Sequence, residues 1–245
     1  MATGCSSLST DLSAFRVEKA PDSVYYVPNF ITTSEEGELL REVYVAPKPK
    51  WTILSGRRLQ NWGGLPHPKG MIQEELPQWL KKYALQLGSL CVFEKKIPNH
   101  VLVNEYEPGQ GIMPHEDGPL FHPVVSTINL GSHTVLDFYT HIKGKDDSQE
   151  IIQQDGSTET NSSVNARHVM SLLLEPRSLL VLTGDLYKHY LHGIEKKKYD
   201  SIDNRIQNLE FCQAKLGQTI ERSTRISLTI RHVPKTLKVK LKIGK

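Results

Sequence analysis

The chain begins with two stretches of helical periodicity and then changes to segments with strand-like spacing. In the first stretch, apolar residues at helical spacing predict a helix that ends before Pro47. Thr32 or Thr33, each followed three residues later by a glutamate, is a capping-box pattern that predicts its start. A second helix is predicted from Glu74 to Leu87, because its apolar residues fall on one face.

The second part of the chain, from residue 101 onward, consists of short apolar or alternating segments separated by turn residues. The predicted strands are Val101–Tyr106, Val124–Leu130, Thr134–Tyr139, Val169–Leu174, Ser178–Leu182 and Ser223–Val233, with an earlier one at Val24–Val27. Short strands after two helices predict an α+β, mainly β fold. We expect a double-stranded β-helix (jelly roll) with the N-terminal helices packed outside one sheet.

The clearest alternation lies in the strand that begins at Arg225. Arg225, Ser227, Thr229 and Arg231 share one face, and three aliphatic residues share the other. Two arginines on the inner face of a small barrel need anionic partners, and a dicarboxylate such as 2-oxoglutarate would suit them. On an outer face they would form surface salt bridges. The segment by itself leaves both interpretations open.

A second pattern pairs an imidazole with a carboxylate. His115 and Asp117 would project to the same side of a strand, as would Asn104 and Tyr106. One more histidine would complete the two-His-one-carboxylate set of non-haem Fe(II) oxygenases. His192 is the preferred candidate, because the following glycine permits close approach of the backbone. A bare His-x-Asp also fits surface residues, and other histidines compete for the third position: His122, His133, His141 and His189.

Size and composition are those of an ordinary water-soluble protein. The 245 residues carry a formal charge of +3 and a pI near 8.6, which is compatible with nucleic acid without demanding it. No apolar run approaches the roughly 20 residues of a membrane span, and the N-terminus lacks a secretory signal. Three widely spaced cysteines fit a reducing compartment. We expect a protein of the cytoplasm and nucleus.

The chain is expected to form a single domain over residues 16–245, after a disordered N-terminus at 1–15. Residues 48–68 have no clean periodicity and predict a long functional loop or irregular hairpin. Residues 143–168 and 196–218 are polar insertions that predict mobile surface loops.

Four motifs, in order and at their separations, resemble the AlkB-like Fe(II)/2-oxoglutarate-dependent dioxygenases: Asn104-x-Tyr106, His115-x-Asp117, His192-Gly193-Ile194 and Arg225-x5-Arg231. The N-terminal part looks like the family's two helices and substrate lid, which would place the lid at 48–68. Family-like sequences also occur at 61–64, 113–118 and 172–182. Ser227 departs from the pattern, because the bacterial prototype commonly has an asparagine there.

The resemblance implies roles for these residues and a reaction. His115, Asp117 and His192 would bind Fe(2+), and 2-oxoglutarate and O2 would be cosubstrates. Arg225, assisted by Asn104 and Tyr106, would bind the far carboxylate, with Ser227 nearby and Arg231 between cosubstrate and substrate. The catalytic set would therefore be His115, Asp117, His192 and Arg231. Oxidation of an N-methyl group would release formaldehyde, succinate and CO2.

The substrate implied by the resemblance is a methylated base in DNA or RNA that is flipped into the pocket. We also expect a monomer and no membrane partner. Arg57 and Arg58 could contact phosphate and Trp62 could stack on a base. The alternative is that Trp62 packs the lid onto the sheet and the arginines face water. Three other functions remain open: demethylation or hydroxylation of protein, non-catalytic binding of metal and 2-oxoglutarate, and zinc hydrolysis, which would leave both arginines of the strand without a role.

Overall fold

Two antiparallel sheets pack through their inner faces in the computed structural model, which describes residues 12–21, 24–141 and 165–237. The larger sheet has seven strands in the order β1-β10-β7-β14-β5-β3-β2, and the smaller has four in the order β6-β11-β8-β9. Two-stranded ladders join β12 to β13 and β4 to β15. The strands are β1 (Val24–Val27), β2 (Trp51–Leu54), β3 (Arg57–Trp62), β4 (Met71–Ile72), β5 (His100–Tyr106), β6 (Ile112–His115), β7 (Val125–Leu130), β8 (Thr134–Tyr139), β9 (His168–Leu174), β10 (Leu179–Leu182), β11 (Leu191–Ile194), β12 (Tyr199–Ser201), β13 (Thr219–Glu221), β14 (Arg225–Arg231) and β15 (Thr236–Leu237).

Helix α1 (Thr33–Val45) starts at the predicted capping box, in which the side chains and backbones of Thr32 and Glu35 bond reciprocally. Helix α2 (Gln78–Gly88) starts four residues later than predicted, because Pro77 has an extended conformation and serves as its N-cap. A short helix, α3 (Gly184–His189), precedes β11.

The helices α1 and α2 pack against the outer face of the larger sheet, as predicted. Their buried residues, among them Leu39 and Leu80, form one cluster with the outward residues of β5, β7, β10 and β14. The jelly roll and its external helices are therefore confirmed, and the predicted strands occur with ends shifted by no more than two residues. No helix in the described ranges is long and apolar enough to cross a membrane.

The interpretation of 196–218 as a mobile surface loop was wrong. Asp200 is buried and accepts two hydrogen bonds from Arg222, at 2.6 and 2.7 Å. Asn208 is also buried and exchanges two hydrogen bonds of 2.9 Å with the backbone of Leu173. Asn208 and a parallel bridge between Ile206 and Ser171 attach the segment to the free edge of β9, the last strand of the smaller sheet.

Three other predicted segments differ from expectation or lie partly outside the structure. Residues 48–68 contain the β2–β3 hairpin, which extends the larger sheet through pairing of β3 with β5. The predicted N-terminal boundary at 15 was too late, because Leu12 is buried and Ser13–Phe15 form a 3-10 turn. Residues 1–11 and 142–164 lie outside the described residues, and His168 opens β9.

Candidate active site

Strands β6 and β11 bring two distant histidines together. His115 and His192 are directly paired in the antiparallel ladder, and their ring centroids are 4.5 Å apart. Asp117 follows β6 and completes the group, with one potential ligand atom from each residue within 4.8 Å of the others. Two imidazoles and one carboxylate at this spacing can bind a divalent metal on one face and leave positions open for other ligands.

An irregularity in β6 aims these residues at the pocket. His115 pairs with His192, and Ile112 pairs with Ile194. Between these two pairs β6 advances by three residues and β11 by two, so β6 contains one extra residue. This bulge turns both Ile112 and His115 inward, which strict alternation would forbid. Asp117 therefore reaches the pocket from the segment after the strand, and not as the predicted strand neighbour of His115.

Glycine allows the two metal-binding strands to approach this closely. A Cβ on Gly193 would lie 3.0 Å from the nitrogen of Pro114 in β6. A Cβ on Gly111 would lie 2.2 Å from the carbonyl oxygen of Ile194. A larger side chain at either position would push β6 away from β11, so the glycine after His192 has the role that the sequence suggested.

The protonation of both imidazoles suits metal binding. Nδ1 of His115 donates to the carbonyl oxygen of Met113 at 2.9 Å, because a carbonyl can only accept, and Nε2 is left with its lone pair. Burial lowers the pKa of His115, and burial lowers the pKa of His192 to about 4. Both rings are therefore neutral at pH 7, which is the form that binds a metal.

Arg225 lies at the other end of the same pocket. Its side chain is buried, and Nη2 donates to Oδ1 of Asn129 at 2.6 Å, while its guanidinium carbon lies 5.6 Å from the ring centre of Tyr106. Nε and Nη1 have no hydrogen-bond partner among the described residues. Burial lowers the pKa of Arg225 to about 10, so the group is still charged at pH 7. A buried cation with free donors fits an anionic ligand such as a carboxylate.

Arg231 lies near the metal-binding residues, at the opposite end of β14. Its Nη2 is 2.5 Å from Oδ1 of Asp117, and its guanidinium carbon is 4.5 Å from the ring centre of Phe121. The four alternate residues of β14 all line the pocket, as the sequence pattern predicted: Arg225, Ser227, Thr229 and Arg231.

The three residues assigned to the substrate do not act as one surface. Arg57 faces the pocket, and its Nε donates to Oδ1 of Asn104 at 3.0 Å. Arg58 points to the opposite side, where it contacts both carboxylate oxygens of Glu105 at 2.5 and 2.9 Å. Trp62 packs edge-on against a tryptophan of α2, with ring centroids 5.7 Å apart, which agrees with the packing alternative. Adjacent residues of a strand face opposite ways, so the two arginines cannot bind the same phosphate.

The competing histidines have other surroundings. His122, His133 and His141 lie near the carboxylates of Glu94, Asp200 and Glu116 respectively, and the side chain of His189 is 68% exposed. Sequence reasoning missed Asn129, which orients Arg225. The available signal was an asparagine between Ile128 and Leu130 in the predicted strand β7, where the residue is disfavoured unless it has a specific partner.

The residues of this pocket fit iron and 2-oxoglutarate. The donor set of two histidines and a carboxylate suits Fe(II), and the free nitrogens of the buried Arg225 suit the far carboxylate of a dicarboxylic acid.

Comparison with known proteins agrees with this chemistry. The model of the 2OG-Fe(II) oxygenase superfamily matches residues 45–231. The "Probable RNA/DNA demethylase ALKBH6" of Danio rerio is 51% identical over 245 residues, which is all of both chains. Uncharacterized protein L905 of Acanthamoeba polyphaga mimivirus is 29% identical over 216 residues, 85% of this chain and 84% of that one.

A solved structure, that of OsALKBH1, shares the fold. It superposes with a TM-score of 0.54 at 14% identity and covers 87% of this chain and 99% of that chain. The sequences at 61–64, 113–118 and 172–182 resemble AlkB homologue six in particular, and the 51% identity confirms that resemblance. The chain belongs to the 2OG-Fe(II) oxygenase superfamily, with iron(II) as its metal and 2-oxoglutarate and O2 as its cosubstrates.

Proposed function

We propose that this oxygenase removes N-methyl groups from nucleic acid, DNA or RNA, and that His115, Asp117 and His192 bind its iron. The observation that carries the assignment is the position of these ligands, within 4.8 Å of one another, in the same pocket as a buried arginine. Arg225 binds the far carboxylate of 2-oxoglutarate, with Asn104 and Tyr106 beside it in the pocket, while Asn129 holds its Nη2. Family membership favours this chemistry over a zinc hydrolase.

When bound by His115, Asp117 and His192, iron would supply the oxidation of an N-methyl group to N-hydroxymethyl, in which O2 gives one oxygen atom to the methyl group and one to succinate as 2-oxoglutarate loses CO2. The protein's own residues orient the participants. The hydrogen bond from Nδ1 to Met113 holds the ring of His115 in place, and Arg231 holds the carboxylate of Asp117. Aliphatic side chains of both sheets line the pocket and exclude water from it: Leu102, Ile112, Val125, Leu136, Leu174, Leu180, Leu182 and Ile194. The hydroxymethyl product then loses formaldehyde and restores the N–H.

A nucleic-acid substrate is supported by the relative, matched over its whole length, that is named as a probable RNA/DNA demethylase. We further propose a monomer of the cytoplasm and nucleus, in agreement with the three widely spaced cysteines. The β2–β3 hairpin, whose strand β3 carries a pocket-facing arginine, is our candidate for the substrate lid.

The test is formaldehyde release from three substrate sets: N-methylated single-stranded DNA, RNA of the same sequence, and methylated peptides. The reactions contain Fe(II), ascorbate and 2-oxoglutarate, and the Asp117→Ala variant serves as the inactive control. We expect formaldehyde from DNA or RNA in equal amount to succinate. Release from peptides alone would make the substrate protein. A metal-loaded chain that forms no succinate with any substrate would be a non-catalytic binding protein.

A further inference from the structure

The β2–β3 hairpin places an arginine inside the cosubstrate pocket. Arg58 of β3 pairs with Glu105 of β5, so the preceding residue, Arg57, lies beside Tyr106. On its other side, Tyr106 pairs with Arg225 of β14. Arg57 and Arg225 therefore flank the Tyr106 side chain on the same face of the larger sheet, and both line the pocket.

The hairpin is fixed to the strands that carry the metal-binding residues. Its turn contains Gly56, where a Cβ would lie 2.5 Å from the carbonyl oxygen of Gly111. Gly111 is itself in close contact with the backbone of Ile194 on β11. This stack of three backbone segments sets the position of Arg57 relative to β6 and β11, so its side chain approaches the pocket from a defined direction.

The charge in the pocket is unbalanced in favour of an anion. The lining residues include three arginines but a single carboxylate, Asp117, which is paired with Arg231. Arg57 uses its Nε to hold Oδ1 of Asn104 at 3.0 Å, and within the described part of the chain its terminal nitrogens have no hydrogen-bond partner. Its guanidinium is thus oriented by one bond and retains donors for a ligand.

We propose that Arg57 binds the dianionic cosubstrate 2-oxoglutarate directly, as a third guanidinium supplied by the hairpin, and so couples the hairpin to occupancy of the pocket. The inference rests on the proposed function of this site. It replaces the assignment of Arg57 to nucleic-acid phosphate, and it gives Asn104 the role of orienting Arg57.

The test measures 2-oxoglutarate binding without turnover, by isothermal titration calorimetry of the full chain loaded with Mn(II). We expect Arg57→Gln to raise the dissociation constant at least about tenfold, the size of a lost charge-assisted hydrogen bond, and Arg57→Lys to restore part of it. Arg58→Gln is the matched control. It removes the same charge from the other face of β3 and should change the constant less than about twofold, because the guanidinium of Arg58 contacts Glu105 and points away from the pocket.

Unchanged affinity in Arg57→Gln, with Arg225→Ala strongly weakened, would overturn this inference and leave the proposed function standing. Equal loss in Arg57→Gln and Arg58→Gln would also overturn it, because the effect would then be one of overall charge or hairpin stability. If the Mn(II)-loaded wild-type chain does not bind 2-oxoglutarate, the proposed function and this inference fail together.

Discussion

Replacing Arg225 by methionine should strongly weaken 2-oxoglutarate binding with little effect on the stability of the ligand-free protein. The guanidinium is buried, and Asn129 is its one hydrogen-bond partner among the described residues, so that bond and any carboxylate contact are lost together. Loss of a buried charged partner weakens binding by about 2–5 kcal/mol, or roughly 30- to 4000-fold.

The effect of Arg225→Met on stability should be small, unlike the large loss expected from an ordinary core substitution. Burial lowers the pKa of Arg225 from 12.5 to about 10, which corresponds to about 3 kcal/mol that the charged side chain costs the fold at neutral pH. Methionine relieves that cost but leaves Oδ1 of Asn129 without its donor, at about 1–3 kcal/mol. The two terms nearly cancel, so the melting temperature without ligand should move by only a few degrees.

Arg222 provides a matched control three residues earlier in the chain. It is also buried, but both of its carboxylate contacts are made with Asp200. Arg222→Met leaves that buried carboxylate with only His133, at 3.3 Å, beside it among the described residues and should cost about 3–5 kcal/mol. At about 2–4 °C per kcal/mol, its melting temperature should fall by roughly 6–20 °C.

Differential scanning fluorimetry of the Mn(II)-loaded chain, with and without 2-oxoglutarate, measures both effects. At a hundredfold excess over the dissociation constant, the ligand stabilises wild-type protein by about 2.7 kcal/mol, or roughly 5–10 °C. This shift should fall below about 1 kcal/mol, or at most a few degrees, in Arg225→Met and persist in Arg222→Met at a lower baseline. A full ligand shift in Arg225→Met would refute our placement of the far carboxylate.

Three further predictions follow from the site and its surroundings. His115→Ala and Asp117→Ala should each abolish stoichiometric metal binding without unfolding the chain, and retained metal by elemental analysis would refute the ligand assignment. Gly193→Ala should weaken Mn(II) binding, because its methyl group would lie 3.0 Å from the nitrogen of Pro114 and displace β6. Gly37→Ala is the control, because a methyl group there would meet no atom within 4 Å. It should leave metal binding intact and raise the free energy of unfolding by about 0.5–1 kcal/mol. Burial lowers the pKa of His100 to about 3, so the free energy of unfolding is unaffected by this ring above pH 6.5 and falls as the pH decreases, by about 2 kcal/mol at pH 5. His100→Phe should therefore lower the pH at the midpoint of acid unfolding. An unshifted midpoint would show that this ring is not protonated on unfolding.

The face assignments of β14 were available from the sequence because strand alternation is encoded locally. Arg225 and Arg231 line the pocket, and the intervening Ile226, Leu228 and Ile230 join the helices in the outer cluster. A solvent-facing strand would have had the same alternation. Only the packing of helices on one face and a second sheet on the other decides between them.

The positions of Arg57 and Arg58 were missed because their strand was not recognised. Prolines and glycines between 48 and 68 concealed β3, so the two arginines were treated as one surface. Once the segment is a strand, alternation alone separates them, with Arg57 toward Asn104 and Arg58 toward Glu105.

Burial of polar residues in 196–218 could not be predicted from composition. Asp200 and Asn208 are residue types that are common in surface loops. Asp200 is buried because it contacts Arg222, and Asn208 because it contacts the backbone of Leu173, and both partners lie elsewhere in the chain. A polar residue is buried when its partner is in place, and that partner is a property of the tertiary fold. The glycine after His192 favoured this histidine in the sequence, but only the pairing of β6 with β11 in the fold brings its ring beside that of His115.

The most direct test of the account is a crystal structure of the chain with Mn(II) and 2-oxoglutarate, with the metal located by its anomalous scattering. We predict one metal peak bonded to His115, Asp117 and His192, and a carboxylate of the cosubstrate on Arg225. A metal bound by other residues, or a cosubstrate whose carboxylates both lie away from Arg225, would contradict it.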